Sequence, residues 1–306
     1  MRFDLVLWSS PAKFRDYGLV HAGVQSNPKH GDRRRETDFR KHYGGSSLAL
    51  ADQWMDLQFT SGTLTEDEKS LKGLDRFFIA HHVIWAYPKN AKITADKFNI
   101  CEDYAKGDHL WDWIEKIGAL RHRKIIWCPR KLNDPNAPTF IAAVNGTDFR
   151  VWEKRHPTLP KDPGQMSHKF KHGALKYLIA VANYESQICF VSGPHRGAKG
   201  DLTIFREDLF PKVAKGKLLN ADRGFRSKRQ AEKDVLSLPN PSDSAELSRF
   251  KSRSRLRLET FNGRLKQYQI LDQTFRGGIE KHEHAFFAVL VTWQYRMDNG
   301  EPLYDV

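Results

Sequence analysis

The strongest constraint on the fold is a change of hydrophobic pattern around residues 128–138, CPRKLNDPNAP. Before this stretch, apolar residues recur with helical spacing, as in SSLALADQWMDL (46–57) and TEDEKSLKGLDRFFIAHHVIWAY (65–87). After it, short apolar runs typical of strands come first and helices follow. The proline, asparagine and aspartate of the stretch itself favour a linker. We therefore predict a helical region at 46–130 and a mixed α/β domain at 138–306.

The helical region contains a pattern typical of a helix-turn-helix. A helix at ITADKFNI (93–100), a turn at CEDYAKG (101–107) and a helix at DHLWDWIEKIGAL (108–120) have the required size, and the last would lie in a major groove of DNA. A purely structural three-helix bundle fits the same pattern. Residues 1–45 are predicted to be a polar arm, whose arginines 33–35 suit either a nuclear address or a solvated surface.

The second region is predicted to hold strands at TFIAAVNGTDFRVWE (139–153), a hairpin at ALKYLIAVANYESQICFVSG (174–193) and a strand ending in a turn at KGKLLNADRGF (215–225). Two helices follow the strands. The last of them, IEKHEHAFFAVLVTWQYRM (279–297), is apolar over most of its circumference, so we expect it to be buried.

The charge of the chain indicates a polyanionic partner. The 306 residues have a formal net charge of +13, distributed along the whole chain. Lysine and arginine side chains that neutralise phosphates drive nucleic-acid binding, whereas an amphipathic basic helix for a membrane surface is not evident. Three widely spaced cysteines predict neither a disulfide framework nor a zinc site, and we expect a soluble, intracellular protein that is not secreted.

One glutamate lies among basic residues in RLRLETFNGRLKQY, residues 255–268. On a helix, Arg255, Glu259, Asn262 and Lys266 fall within about 60° of one another and form a polar stripe. Four apolar residues form a separate arc that can pack on a core: Leu258, Phe261, Leu265 and Tyr268. Arg257 and Arg264 are predicted to point away from this arc, toward solvent. A simpler reading is that Glu259 neutralises Arg255 through an i, i+4 contact, which would contribute about 0.2–0.5 kcal/mol.

Two further acids follow apolar strands. Asp222 ends LLNAD, and Asp148 follows AAVNGT. Phosphodiester cleavage with two metal ions needs several carboxylates that converge from different elements, because Mg²⁺ takes oxygen ligands. Taken alone, Asp222 also suits the first residue of a turn.

The chain resembles the DDE-type transposases, specifically the Harbinger-like group. The resemblance is carried by NGTDFRVWE, SGPHRGAKGD, LLNADRGF and RLETFNGRLK over roughly 138–300, and extends to FRKHYGGSS in the helical region. It implies an RNase H-like catalytic domain, a mixed sheet with flanking helices, preceded by the helical domain. It also implies a divalent metal, Mg²⁺ or Mn²⁺ and two ions in all, with Asp222 and Glu259 as ligands.

The first catalytic aspartate of that group stands in a DGT triplet, where this chain has Asn145-Gly146-Thr147. Asparagine keeps an oxygen ligand but loses the charge. Asp148 lies three residues further on, and strand alternation turns its side chain to the opposite face, which makes it a poor substitute. The predicted catalytic set is therefore Asp222, Glu259, Asn145 and Asp148, with the first three as metal ligands.

We assign DNA contacts to Arg255, Asn262, Arg264 and Lys266; the resemblance implies a phosphate contact for the first and the last of these. Two functions remain open. The protein is either a metal-dependent transposase or endonuclease that acts on double-stranded DNA, or an inactive, domesticated or decayed DNA-binding protein. We expect a nuclear location, and the sequence leaves open self-association and the need for an accessory DNA-binding protein.

Overall fold

The computed structural model describes residues 10–24, 30–136, 138–152 and 163–306, with the side chains of 129 and 130 left aside. Two predictions concern the N-terminal residues: the polar arm at 1–45 and a protein that is not secreted. Both rest partly on residues 1–9 and 25–29, which lie outside the described residues. The chain divides into two compact units. The described residues up to His122 form the first with Gln267–Gln273 and Glu280–Pro302, and Arg123–Lys266, Thr274–Ile279 and Leu303–Val306 form the second.

The first unit is helical. Its helices are α1 (Pro11–His21), α2 (Asp32–Tyr43), α3 (Ser47–Phe59), α4 (Leu71–Ala86), α5 (Ala91–Phe98), α6 (Glu102–Lys106), α7 (Asp108–Ala119), the start of α8 (Arg121–Lys124), α13 (Gln269–Asp272) and most of α14 (Ile279–Asp298). Ser46 caps α3 and Asn90 caps α5, each through its side-chain oxygen. As predicted, α14 is buried along most of its length.

Aromatic packing makes up much of the core of this unit. Tyr43 and Phe14 each place a ring within 5 Å of Phe78, at 4.8 and 4.9 Å between centroids. The buried Trp113 of α7 stacks on Trp54 of α3 at 6.1 Å. The tryptophan-rich helix therefore contributes packing residues to this core.

Residues 11–21 and 32–43, predicted as part of a polar arm, form helices instead. Residues 32–43 are mostly charged, but Phe14, Phe39 and Tyr43 of the two helices are fully buried, so tertiary packing stabilises them. The predicted turn at 101–107 contains the short helix α6. The exposed residues of α7 include Asp108, Asp112 and Glu115, an acidic set that would repel phosphate, and the helix-turn-helix stays a prediction.

The second unit is built on a five-stranded mixed sheet. Its strands are β1 (Phe140–Arg150), β2 (Ala174–Ala182), β3 (Ile188–Arg196), β4 (Leu218–Asn220) and β5 (Leu236–Ser237), in the order β3-β2-β1-β4-β5. The β1–β2 and β2–β3 pairs are antiparallel, which confirms the predicted hairpin, and β1–β4 and β4–β5 are parallel. Pairing of β1 with β2 continues through Asn145 and Gly146 to Arg150, so these two residues form strand and not a turn.

The helices of this unit are α9 (Pro129–Leu132), α10 (Asp201–Ile204), α11 (Gln230–Lys233) and the long α12 (Ala245–Leu265). One face of the sheet is covered by α10 and the π-helical turn that continues it, through the buried Ile204, Phe205 and Leu209. The mixed α/β architecture with flanking helices is that expected for an RNase H-like domain preceded by helices. Within the described part of the chain, no helix has the length and apolar character of a membrane span.

Candidate functional site

Asn145 and Asp222 lie at neighbouring positions on the sheet. In the parallel β1–β4 pair, Ala143 is opposite Asn220. Side chains alternate along a strand, so residues 145 and 222, each two residues further along, belong to the same face as Ala143 and Asn220. Asp222 comes two residues after β4 and still has an extended backbone, with φ −83° and ψ −179°. Because adjacent strands are about 4.8 Å apart, the two side chains emerge side by side at the carboxyl edge of the sheet.

Asp222 also begins a turn, as its sequence context suggested. Its Oδ1 accepts a hydrogen bond of 2.7 Å from the backbone N–H of Gly224 and caps the 3₁₀ turn Arg223–Phe225. The side chain is half-buried. The turn fixes the carboxylate at the strand end, so the structural and the functional interpretations of Asp222 are compatible.

Helix α12 lies alongside β1 and runs in the same direction. Near its start, Phe250 contacts Phe140, with 5.2 Å between ring centroids. At the other end, the cations of Lys266 and Arg150 approach one ring, that of Phe170. Helix α12 therefore extends along most of β1.

Helix α12 covers the face of β1 that carries Asn145. Ser254 of α12 donates a hydrogen bond of 2.6 Å to Asn183, and position 183 lies on the same face of the sheet as 179, the partner of Asn145. Asn145 and Asn220 thus share the face of the sheet that α12 covers, and the convergence of Glu259 on Asn145 and Asp222 stays a prediction.

The polar stripe on α12 is accessible. Glu259 is exposed, while Arg255, Asn262 and Lys266 are half-buried. Arg255 donates a 3.4 Å hydrogen bond to the carbonyl of Lys251, and among the described residues no ion pair joins it to Glu259. The residues of the predicted apolar arc are buried; they comprise Leu258, Phe261, Leu265 and Tyr268. The helix is shorter than predicted, because α12 ends at Leu265 and Tyr268 lies beyond it.

The prediction that Arg257 points to solvent was wrong. Its side chain is 1% exposed and donates hydrogen bonds to the carbonyls of Glu185, at 2.7 Å, and Tyr304. Burial lowers the pKa of the guanidinium, though it stays charged at neutral pH. The helical pattern could not reveal these acceptors, because both come from distant parts of the chain. Arg264 is half-buried.

Asp148 lies on the opposite face of β1 from Asn145. It accepts a hydrogen bond from Ser167, and its Oδ1 is 3.8 Å from the ammonium of Lys176. The same ammonium is 2.9 Å from Asp201. Asp148 is therefore a member of a largely buried polar cluster, and its contacts hold it away from the region of Asn145, Asp222 and Glu259.

Asn220 is a site-proximal residue that the sequence analysis missed. It is fully buried on the face of β4 that carries Asp222, and within the described parts of the chain neither its amide oxygen nor its amide nitrogen has a hydrogen-bond partner. An unpartnered buried amide is unfavourable by about 1–3 kcal/mol, so such groups are uncommon. Its only sequence signal was a polar residue inside an apolar strand.

The donor groups at this edge do not fit a two-ion metal site. Asp222 and Glu259 supply two carboxylates, while Asn145 and Asn220 supply only neutral amides. Across the described ranges, no group of three or more His, Cys, Asp or Glu side chains could hold a metal ion. Two cations would thus face too little negative charge, since one charge pair at 4 Å is worth about 4 kcal/mol at an effective dielectric constant of about 20.

Comparison with known proteins identifies the family of this region. Residues 144–292 match the family described as DDE superfamily endonuclease, a group that generally uses divalent metals. No curated protein and no solved structure matched the chain. The matched segment contains Asn145, Asp148, Asp222 and Glu259, as well as the stripe on α12. Over residues 144–292, the chain is therefore similar to the DDE superfamily endonucleases, which supports a nuclease- or transposase-derived function for this segment.

Proposed function

We propose that this protein binds double-stranded DNA through a site inherited from a DDE nuclease, and that its own cleavage of phosphodiester bonds is strongly impaired. The observation that carries the proposal is the register of β1 and β4, in which Ala143 pairs with Asn220 and Asn145 and Asp222 each follow two residues later. An amide occupies the position where the family has its first catalytic aspartate. The other acid of the motif, Asp148, is on the opposite face and is bound by Ser167 and Lys176.

The expected loss of rate follows from electrostatics. Removal of one carboxylate charge next to a cation is worth about 4 kcal/mol at 4 Å and an effective dielectric constant of about 20. By transition-state arithmetic, this corresponds to a rate reduction of roughly a thousandfold. The aspartate-to-asparagine change alone therefore supports a cleavage activity close to background.

DNA binding does not depend on the missing charge. The net charge of +13 and the accessible stripe on α12 support contacts between phosphates and the side chains of Arg255 and Lys266; a contact by Arg264, which is half-buried and lies outside the stripe, is a further proposal. Asn262 lies in the same stripe and is half-buried; we propose a DNA contact through its amide group.

Nicking of supercoiled plasmid in Mg²⁺ or Mn²⁺ tests the proposal. The native chain should not nick above background, Asn145→Asp should nick, and Asn145→Asp combined with Asp222→Ala should be silent again. Nicking by the native chain that Asp222→Ala abolishes would contradict the proposed impairment. If all three variants are silent while the folded protein binds DNA, Asn145 is not what limits cleavage.

The second candidate function is a transposase or endonuclease that remains active with Asn145. The presence of Asp222 and Glu259 favours it, because the sequence retains two of the three ligands that the family resemblance implies. The plasmid assay separates the two candidates, since only the second expects nicking by the native chain.

The expectation of a nuclear location rests on DNA as the partner. The arginine run at 33–35 begins helix α2, where Arg34 contacts Asp38 at 3.4 Å and Arg35 contacts Asp16 at 3.0 Å. Arginines held in a folded helix make a weak nuclear localisation signal, so we propose the nuclear location because the proposed partner is DNA. Microscopy of a fluorescent fusion protein checks this location. Self-association and an accessory protein stay open predictions.

A further inference from the structure

The ring of Phe170 is surrounded by cations from three elements. It lies in the segment 167–173, SHKFKHG, which leads into β2. The guanidinium carbon of Arg150, at the end of β1, is 4.7 Å from the ring centroid. The ammonium groups of Lys266, at the end of α12, and of Lys169 are 5.8 and 5.9 Å away. The ring itself is only half-buried.

Internal hydrogen bonds give the loop 167–172 a fixed shape. The backbone N–H of Ser167 donates to the carbonyl of His172 at 2.9 Å, and the N–H of Lys171 donates to the carbonyl of Ser167 at 2.9 Å. The hydroxyl of the buried Ser167 accepts from the N–H groups of Lys169 and Phe170, at 3.2 and 3.3 Å.

The same hydroxyl donates to Asp148. Asp148 thus anchors the loop that presents Phe170, which gives this acid a positioning role in place of metal binding.

A phenylalanine that served only to pack the loop would not require three cationic side chains around its ring. Placing like charges around one aromatic group is unfavourable unless an anion is nearby. A partly open aromatic face among lysines and arginines is also the combination used by proteins that bind single-stranded nucleic acid, where bases stack on the ring and cations contact the backbone. Exposed His168, Lys169 and Lys171 extend the basic surface around the ring.

We infer that the loop 167–172 is a second DNA contact, in which Phe170 stacks on an unpaired base while Arg150, Lys169 and Lys266 contact the flanking phosphates. The inference deepens the proposed function and rests on it. Lys266, whose ammonium approaches the ring, is seven residues after Glu259, a rise of roughly 10 Å along the helix axis. DNA with a locally unpaired segment at that site is the substrate class that this arrangement suits.

Fluorescence anisotropy with two labelled DNAs, a full duplex and the same duplex with a short single-stranded gap, tests the inference. Phe170→Ala should weaken binding of the gapped DNA about tenfold, and that of the full duplex less than twofold. Lys169→Ala should weaken both and reduce the salt slope by about one. Tyr184→Ala and Lys215→Ala are matched controls, because both side chains are exposed at the other end of the sheet, and neither change should alter binding.

A second variant and measurement control for the case in which Phe170→Ala does not fold. Phe170→Leu keeps an apolar side chain without an aromatic face. The native protein should quench 2-aminopurine in the gap by stacking, and folded Phe170→Leu should not.

Equal binding of gapped DNA by native and Phe170 variants would overturn the inference. If Lys266→Ala still weakens binding of the full duplex, the proposed function would be retained without the second DNA contact. A native protein that binds neither DNA would overturn both.

Discussion

Gly146 lies so close to Asp201 that a Cβ at position 146 would be 2.3 Å from the Oδ1 of that carboxylate. Asp201 cannot move away freely, because Lys176 holds it at 2.9 Å. The absence of a side chain at position 146 therefore allows α10 to begin directly against β1, next to Asn145.

Gly146→Ala should lower the free energy of unfolding by about 1–3 kcal/mol through this steric conflict. Urea denaturation measures the effect, and Asp201→Ala in the same chain should remove most of it. Gly263→Ala is the control: this glycine is in helix α12 with open space around it, so alanine should stabilise the protein by about 0.5–1 kcal/mol. An unchanged free energy of unfolding for Gly146→Ala would show that α10 can shift without destabilising the protein.

Asp148→Ala should destabilise the protein by about 1–3 kcal/mol, because it leaves the buried Ser167 hydroxyl without its acceptor and removes one carboxylate near Lys176. Asp222→Asn retains an oxygen that can cap the turn and should change stability by less than about 0.5 kcal/mol. Chemical denaturation of both variants checks the contrast. A larger loss for Asp222→Asn would argue against Asp148 as an anchor.

The buried histidine His81 should make the protein less stable in acid. Burial lowers its pKa to about 3, and its neighbour across α4 is the ring of Phe77 at 4.4 Å. Its folded pKa is below the unfolded value of about 6.5, so its contribution is present above pH 6.5 and is lost as the pH falls, when the unfolded chain takes up the proton.

His81→Phe should therefore reduce the dependence of unfolding free energy on pH by about 1.4 kcal/mol per pH unit between about pH 4 and pH 6. Urea titrations across that range measure the slope. His122→Gln changes an exposed histidine and should leave the slope unchanged. An unaltered slope in His81→Phe would mean that His81 takes up its proton without unfolding.

Asn145→Asp should raise the affinity for Mn²⁺ at least tenfold, because it adds a carboxylate beside Asp222. Isothermal calorimetry measures the change, and adding Asp222→Ala or Glu259→Ala should reverse it. Asn136→Asp adds the same charge at an exposed position and serves as the control. Mn²⁺ affinity that none of these changes alters would reject a metal site shared by positions 145, 222 and 259.

Lys266→Ala should weaken duplex binding and lower the salt slope of the binding constant by about one, as expected for the loss of one phosphate contact. Lys215→Ala, an exposed lysine in the segment before β4, should leave the slope as it is. Titrations at several salt concentrations decide between a phosphate contact and a general loss of net charge, which would affect both variants alike.

The sequence predicted the features that depend on local periodicity. The β2–β3 hairpin, the buried α14 and the apolar arc of α12 all follow from the spacing of apolar residues. Alternation along β1 likewise separated Asn145 from Asp148. These features are local, so one segment contains the information.

The features that the sequence missed depend on partners far along the chain. Helix α1 is short and α2 is highly charged, so neither is evident alone, and Phe14, Phe39 and Tyr43 are buried by packing between helices. Arg257 looked exposed because its carbonyl acceptors come from residues 185 and 304. The ring of Phe170 and the cations around it likewise unite three separated segments.

The division of the chain into interleaved segments has a consequence for synthesis. The helical unit needs Glu280–Pro302, which adds most of α14, and the sheet unit needs Leu303–Val306, whose Tyr304 carbonyl accepts from Arg257. Neither unit can therefore complete its core until the ribosome has translated the segment 280–306. A nascent chain that stops short of Tyr304 leaves the buried guanidinium of Arg257 without one of its acceptors, so the chain should depend on protection until that segment has been made.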